Sequence, residues 1–534
     1  MRGGLILTAA LVALSAQGIT PEVGKEKLRS LVRLPSISFQ AQWTFDPEQG
    51  FAIGTGAVDT LARIAELRGG LQQDNGDAEI HLALAELYAG LGDNRNARLS
   101  WQRAQNLFRK RLEQQPDNGP LLTGLGRSLA GVGRDDEAES VLRRAVVHGS
   151  TDWRCQVALG RFLDSLARRA ILNRPIPAAS ASDAGNPPAI PDRPSAAEVA
   201  LAQKQLVEAG ECFERAVDFA PKESEAYYRR GMHRCLRQVL LNQIGVAGAA
   251  DGELSDAYED CFTPEILADL QRASQLSPND YRLIGGTVLF EIYTVSTRSR
   301  QAQITTWSSL PDKSQQSVRE SIARLEELAQ DSQPRKAAGA LEVLGILQGP
   351  VLHEPTRCVN NLRRALALQP TRDQAWEVLL LTLSEAGRYD ELLDVCEDQV
   401  RLKETPRTHV LLAKAHEKLK QWDSCEEQAQ LAALQDPNDF NATFTLGALL
   451  LKRSRGNAEV LTQANQWLAR SEATLNKTPR IRRTRDQVIE LTLTRSIYFA
   501  LTDEMDTARQ WAKAVLDRDQ DNQLAKDILS AMDF

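Results

Sequence analysis

The chain has 534 residues, 42% hydrophobic and 25% charged, with aromatics at only 5%. That composition belongs to a folded protein and favours helix formers over the β-branched and aromatic residues of sheets. A formal net charge of −7 argues against nucleic acid as the main partner, because phosphate binding draws on a basic excess. Seven cysteines with no Cys-x-x-Cys pair argue against a disulfide framework or a zinc site, and read as small side chains at helix contacts.

At the start of the chain, Arg2, the apolar run Leu5 to Leu14 and Ala16-Gln17-Gly18 have the order of an export signal over residues 1–18. A signal would place the chain outside the cytoplasm, periplasmic or otherwise extracytoplasmic. The alternative is a frayed amphipathic start on a cytoplasmic protein, which the unpaired thiols favour. No later run is apolar and long enough to span a bilayer, so no integral membrane span is expected. Within an extension over residues 19–56, Ile37, Phe39, Ala41, Trp43 and Phe45 alternate with polar residues. That period of two predicts a strand, with Phe51 to Ile53 returning as its partner in a short N-terminal β-hairpin. Such a hairpin would cover the exposed apolar end of the first repeat of a solenoid.

From residue 57 to about 520 the sequence repeats itself near a period of 34. Leu125-Gly126-Arg127 recurs as Leu159-Gly160-Arg161, and Leu412-Ala413 as Leu446-Gly447. Later in each unit Ala216, Ala273, Ala365 and Ala432 are each followed five residues on by Pro221, Pro278, Pro370 and Pro437. Small residues let two antiparallel helices approach, larger ones at i+3 and i+4 fill the seam, and proline ends the second helix. Gly92, Gly133 and Gly387 fall where the turn inside each pair needs a left-handed residue. The 41 residues from Ala85 to Gly126 imply a second helix lengthened by two turns, through Phe108 and Leu112.

These positions resemble the tetratricopeptide repeat: Leu84-Ala85, Tyr88, Gly92, Ala97, Trp101 and Ala104 make one copy. Leu125-Gly126, Leu129, Gly133, Ala138, Leu142 and Ala145 make another, and Trp376, Leu379, Gly387, Leu392 and Cys396 a third. The resemblance implies an all-α, right-handed superhelix of about ten helix pairs, degenerate near 281–330 and 480–520. Residues 521–534, with Leu524, Ile528 and Leu529, predict a closing helix. Two insertions interrupt the period: a proline-rich stretch over 173–195 and an acidic one over 242–264. Both read as solvated loops, and the acids lack the alternate spacing of a calcium loop.

No metalloprotease, nucleophile-elbow, phosphate-loop or dinucleotide pattern occurs. Neither an enzyme nor a cofactor is expected. The resemblance implies a scaffold whose first helices line a groove for a protein or peptide. Arg127 and Arg161 take the same groove position in consecutive units, and Arg154 precedes Arg161 by seven residues. With Arg230 and Arg234 on a later helix, they form the candidate binding set for an acidic partner. The Lys/Asn carboxylate clamp of some family members is not reproduced, since apolar residues such as Leu82 and Val157 take its other positions. The alternative function is a structural subunit that self-associates within a cell-envelope or multiprotein complex.

Overall fold

A computed structural model describes residues 21–35, 57–73, 76–172, 195–246, 263–298, 310–477, 485–517 and 519–532. Among these residues there is helix, turn and loop, and no strand. The predicted export signal and β-hairpin lie outside the described residues, as do the proline-rich insertion through residue 194 and the acidic insertion from 247 to 262. The first helix, α1 (Pro21–Leu31), falls within the stretch expected only as an extension.

The chain divides into two compact units. The larger covers Gln42–Thr382; the smaller joins Met1–Ala41 to Leu383–Phe534. In the larger unit α2 (Ala57–Gln73) precedes the pairs α3 (Ala78–Gly90) with α4 (Asn94–Gln114), α5 (Gly119–Gly131) with α6 (Asp135–His148), and α7 (Trp153–Leu172) with α8 (Ala196–Phe219). The pairs α9 (Ser224–Val246) with α10 (Pro264–Leu276), α11 (Tyr281–Arg298) with α12 (Asp312–Leu328), and α13 (Pro334–Ile346) with α14 (Pro355–Leu368) come next. The division falls within α15 (Asp373–Glu385). The smaller unit holds α16 (Tyr389–Leu402), then α17 (Pro406–Lys418) with α18 (Trp422–Gln435), and α19 (Phe440–Arg453) with α20 (Ala458–Lys477). It closes with α21 (Arg485–Leu501), α22 (Met505–Leu516) and α23 (Gln523–Ala531). The lengthened second helix expected before Pro116 is α4, at 21 residues.

Each hairpin forms because its turn and its seam agree. Gly92, Gly133 and Gly387 have φ of 74°, 81° and 69°, the left-handed angles that close the end of a first helix. The amide three residues past each first helix bonds back five residues, as Asp93 N to the Tyr88 carbonyl at 2.9 Å and Arg134 N to that of Leu129 at 3.0 Å. Lys420 and Asp503 adopt the same left-handed turn without glycine, at φ 59° and 67°. Helix starts are capped by Asp77, Asn118, Ser195, Asp439 and Asn522 side chains, which satisfy amides the helix itself leaves open.

At the seam, a small residue of the first helix receives a large one of the second. A Cβ on Gly126 would lie 2.5 Å from Leu142 Cγ, and one on Gly160 would lie 2.8 Å from Phe213 Cζ. Ala145, Ala216, Ala273, Ala365 and Ala432 are all fully buried. The prolines beyond them do more than stop a helix: Tyr227 Oη donates to the Pro221 carbonyl, and Trp376 Nε1 to that of Pro370. The next first helix is thereby tied to the turn before it. This is the all-α stack of helical hairpins that the resemblance implied.

Candidate functional site

Three first helices of the larger unit carry arginines that lie near one another, Arg127 on α5, Arg161 on α7 and Arg229 on α9, with Glu86 of α3 beside them. Arg127 on α5 bridges back to Glu86 on α3, with Nη2 2.6 Å from Oε1. Arg229 on α9 pairs with Glu225 one turn earlier at 2.6 Å. Burial lowers the Arg229 guanidinium and Glu225 more than restores it, so its pKa lies above the ordinary value. Arg161 on α7 sits between these two pairs. Among the described residues no carboxylate reaches ion-pair distance of it.

That difference shows in its titration. Burial pulls Arg161 down to about 10, Arg229 and Arg127 push it the same way, and Glu86 and Glu225 act against them. At neutral pH it is still a cation, desolvated and without a counter-ion. The site is thus one unmatched positive charge between two matched ones.

Arg161 opens onto a small cleft lined also by Ser165, Arg168, Phe213, Arg229 and Met232. Phe213 is buried beneath Gly160 and makes the cleft's apolar floor. Asp164 does not compensate Arg161, because His233 Nδ1 already holds it at 2.8 Å in a buried contact. The Phe213 and His233 rings lie 5.2 Å apart. The cleft thus has an apolar floor, a fixed polar wall and a cation.

Of the five arginines singled out from sequence, the structure brings Arg127 and Arg161 together. Arg154 is exposed in the first turn of α7, over the Trp153 ring at 5.2 Å, about two helical turns from Arg161. Arg230 and Arg234 lie elsewhere. Both point into the seam and share Asp269 on α10 and Glu214 on α8, in ion pairs of 2.6–2.8 Å. Asp269 is a buried residue of α10. Both arginines are held by carboxylates of neighbouring helices.

A register signal could have sorted them. Gly231 packs against α10, with its Cβ position 3.2 Å from Asp269 Cβ, as Gly126 packs against α6. Arg230 therefore matches Leu125, a buried position, and Arg229 matches Gly124, which in α5 packs against Phe108 of α4. Sequence reasoning missed Arg229 because the insertion over 173–195 hides the period between α7 and α9.

Among the described residues no group of three His, Cys, Asp or Glu could hold a metal ion. The six described cysteines are buried, and burial raises the Cys212 thiol to about 11 and Cys425 to about 12. No described helix is long and apolar enough to cross a membrane.

No protein-family model matches the chain, and no curated protein does. Among solved structures, yeast Tom70 is similar at 13% identity, covering 89% of this chain and 92% of its own, with a TM-score of 0.38. The Cut9–Hcn1 hetero-tetramer of the APC/C is similar at 11% identity over 90% of this chain and 89% of that one, TM-score 0.34. YrrB, described as a tetratricopeptide protein with an unusual peptide-binding site, is similar at 18% identity over 38% of this chain and 94% of its own, TM-score 0.27. The hairpin architecture rests on the turns and seams of this chain, not on these likenesses.

Proposed function

We propose that the chain is a non-catalytic scaffold that binds a protein segment on the first-helix face of its larger unit, with an acidic side chain of the guest seated on Arg161. One observation carries the reading: Arg161 has lost much of its water and gained no carboxylate, while Arg127 and Arg229 beside it each hold one. A guest carboxylate meets a cation that is already partly desolvated, so less of the gain is offset. Arg127 and Arg229 are held in place by their own partners and set the rim.

A labelled peptide pool with Asp or Glu at alternate positions tests this. Full-length chain should bind the pool, and Arg161→Gln should weaken binding about tenfold, which is ~1.4 kcal/mol. Arg234→Gln should leave it unchanged, since that arginine serves the seam. Equal binding by wild type and Arg161→Gln removes the site from the reading.

The self-associating alternative draws on one feature. Second helices end on exposed apolar residues: Val147 is 71% exposed, Leu434 72% and Leu402 57%. An assembly subunit would use them between copies. Light scattering on the wild type and on Leu434→Glu separates the two readings, because only the assembly reading requires a mass that falls on substitution.

A further inference from the structure

We propose that the first-helix face of the smaller unit is a docking site for a short basic amphipathic helix, and that residues 21–34 of this chain are its resident occupant. Helix α1 packs on α19, α21 and α23. The first two are first helices of their pairs, and α23 comes next in the same place. It thus lies on the kind of face that carries the arginines in the larger unit. The proposal extends the scaffold reading to a second face with a guest of opposite charge.

The chemistry of the occupant is visible in its contacts. Leu28, Val32 and Leu34 are buried in the core that α19 to α23 share, at i, i+4 and i+6. On the polar side Lys25 Nζ lies 2.6 Å from Asp503 Oδ1, in the turn between α21 and α22. Arg29 Nη2 approaches Gly456, in the turn after α19, to 3.8 Å of its Cβ position. Both cations therefore face the C-terminal ends of first helices, where the backbone carbonyls concentrate negative potential. At the other end Lys452 Nζ donates to the Val32 carbonyl at 3.2 Å while pairing with Glu417 at 2.7 Å. That bond satisfies a carbonyl of the chain just past the end of α1, and it would do so for any helix laid there in the same direction.

Two features make the occupant exchangeable. An 11-residue helix is too short to stand alone in water, so α1 is helical because it is docked. Its fit is also incomplete: Arg29 is 7% exposed, its Nε has no acceptor among the described residues, and its carboxylate partner Glu26 is 73% exposed. A buried donor left unbonded weakens the resident against a guest that replaces it with an apolar or better-placed group.

The test uses the full chain and a fluorescent peptide of residues 21–35. Wild type should bind it weakly, because the site is filled. Leu28→Asp with Val32→Asp in the chain should release α1 and tighten peptide binding at least tenfold. The same peptide carrying Lys25→Glu and Arg29→Glu should not bind, and Arg161→Gln in the chain should change nothing, which separates this result from the acidic-guest test. Equal affinity of the wild type and a folded double variant overturns the proposal. If circular dichroism shows the double variant unfolded, wild type carries the test by hydrogen exchange. Saturating peptide should then accelerate exchange of amides 25–32, and unchanged exchange overturns the proposal.

Discussion

The two units offer the same helix face in two conditions. In the larger, no described helix lies across it, and among the described residues Arg161 is a cation without a counter-ion. In the smaller, a helix from the other end of the sequence lies across it, bringing its own cations to Asp503 and to the ends of α19 and α21. Charge differs as well. Lys414 on α17 is the desolvated cation of the smaller unit: burial lowers it, Lys418 adds to that, and Glu490, Glu385 and Glu417 oppose. Lys414 thus has one cation and three carboxylates around it, where Arg161 has two cations and two carboxylates. The lesson is that a helical repeat decides which side chains face a guest and leaves their charge free, so one chain can hold two faces that select opposite partners.

The largest expected effect comes from destabilising one unit alone. Arg372 and Glu342 form an ion pair within the larger unit, both fully buried. Removing one partner leaves an uncompensated buried charge, so Glu342→Gln should cost ~3–5 kcal/mol. Hydrogen exchange should accelerate in α13 and α14 while α19 and α20 keep their protection. Equal loss in both sets would break the comparison, because the units would then open together.

A smaller effect sharpens it. Gly126 and Gly447 hold the same seam position in the two units, but a Cβ would lie 2.5 Å from Leu142 Cγ in one and 3.0 Å from Leu468 Cγ in the other. Both changes to Ala gain helix propensity. Both press on a buried leucine, but Gly126 meets Leu142 at a distance no real Cβ tolerates while Gly447 is merely tight against Leu468 and its backbone nitrogen at 3.1 Å, so Gly126→Ala should destabilise by ~1–3 kcal/mol and Gly447→Ala by less. Denaturant midpoints of the two variants check the order, and a reversed order would mean that the larger unit's seam gives more easily than its geometry implies.

Much of this was legible in the sequence where a residue type has one job. Gly92, Gly133 and Gly387 marked turns because few residues besides glycine accept that backbone; Lys420 and Asp503 take the same angles and gave no signal. Alanine before proline marked second helices because packing and chain termination both act there. The arginines were legible only in part. Counting by 34 placed Arg127 and Arg161 together, yet the same count failed across the insertion, where Arg230 and Arg234 pair with Asp269 and Glu214 and Arg229 lies beside Arg161. The docking of α1 on α19, α21 and α23 had no local signature. Leu28 and Val32 show an apolar spacing, but nothing in a sequence says which distant face it meets.

The smallest effect concerns what holds α1 in place. The Lys25–Asp503 pair is short, but Asp503 is 73% exposed, and such pairs contribute ~0.2–1 kcal/mol because water and salt screen them. Leu28 and Val32 are both fully buried to within 1%, and burying such side chains is worth ~1.5–3 kcal/mol each. Apolar contact should therefore dominate. Asp503→Asn should speed exchange of the α1 amides only by about one- to fivefold, and raising the salt on wild type should reproduce that shift. An increase well above tenfold on Asp503→Asn would reverse the ranking. The face would then recognise a basic helix chiefly by charge, and the leucine spacing of its guest would matter less than the lysine.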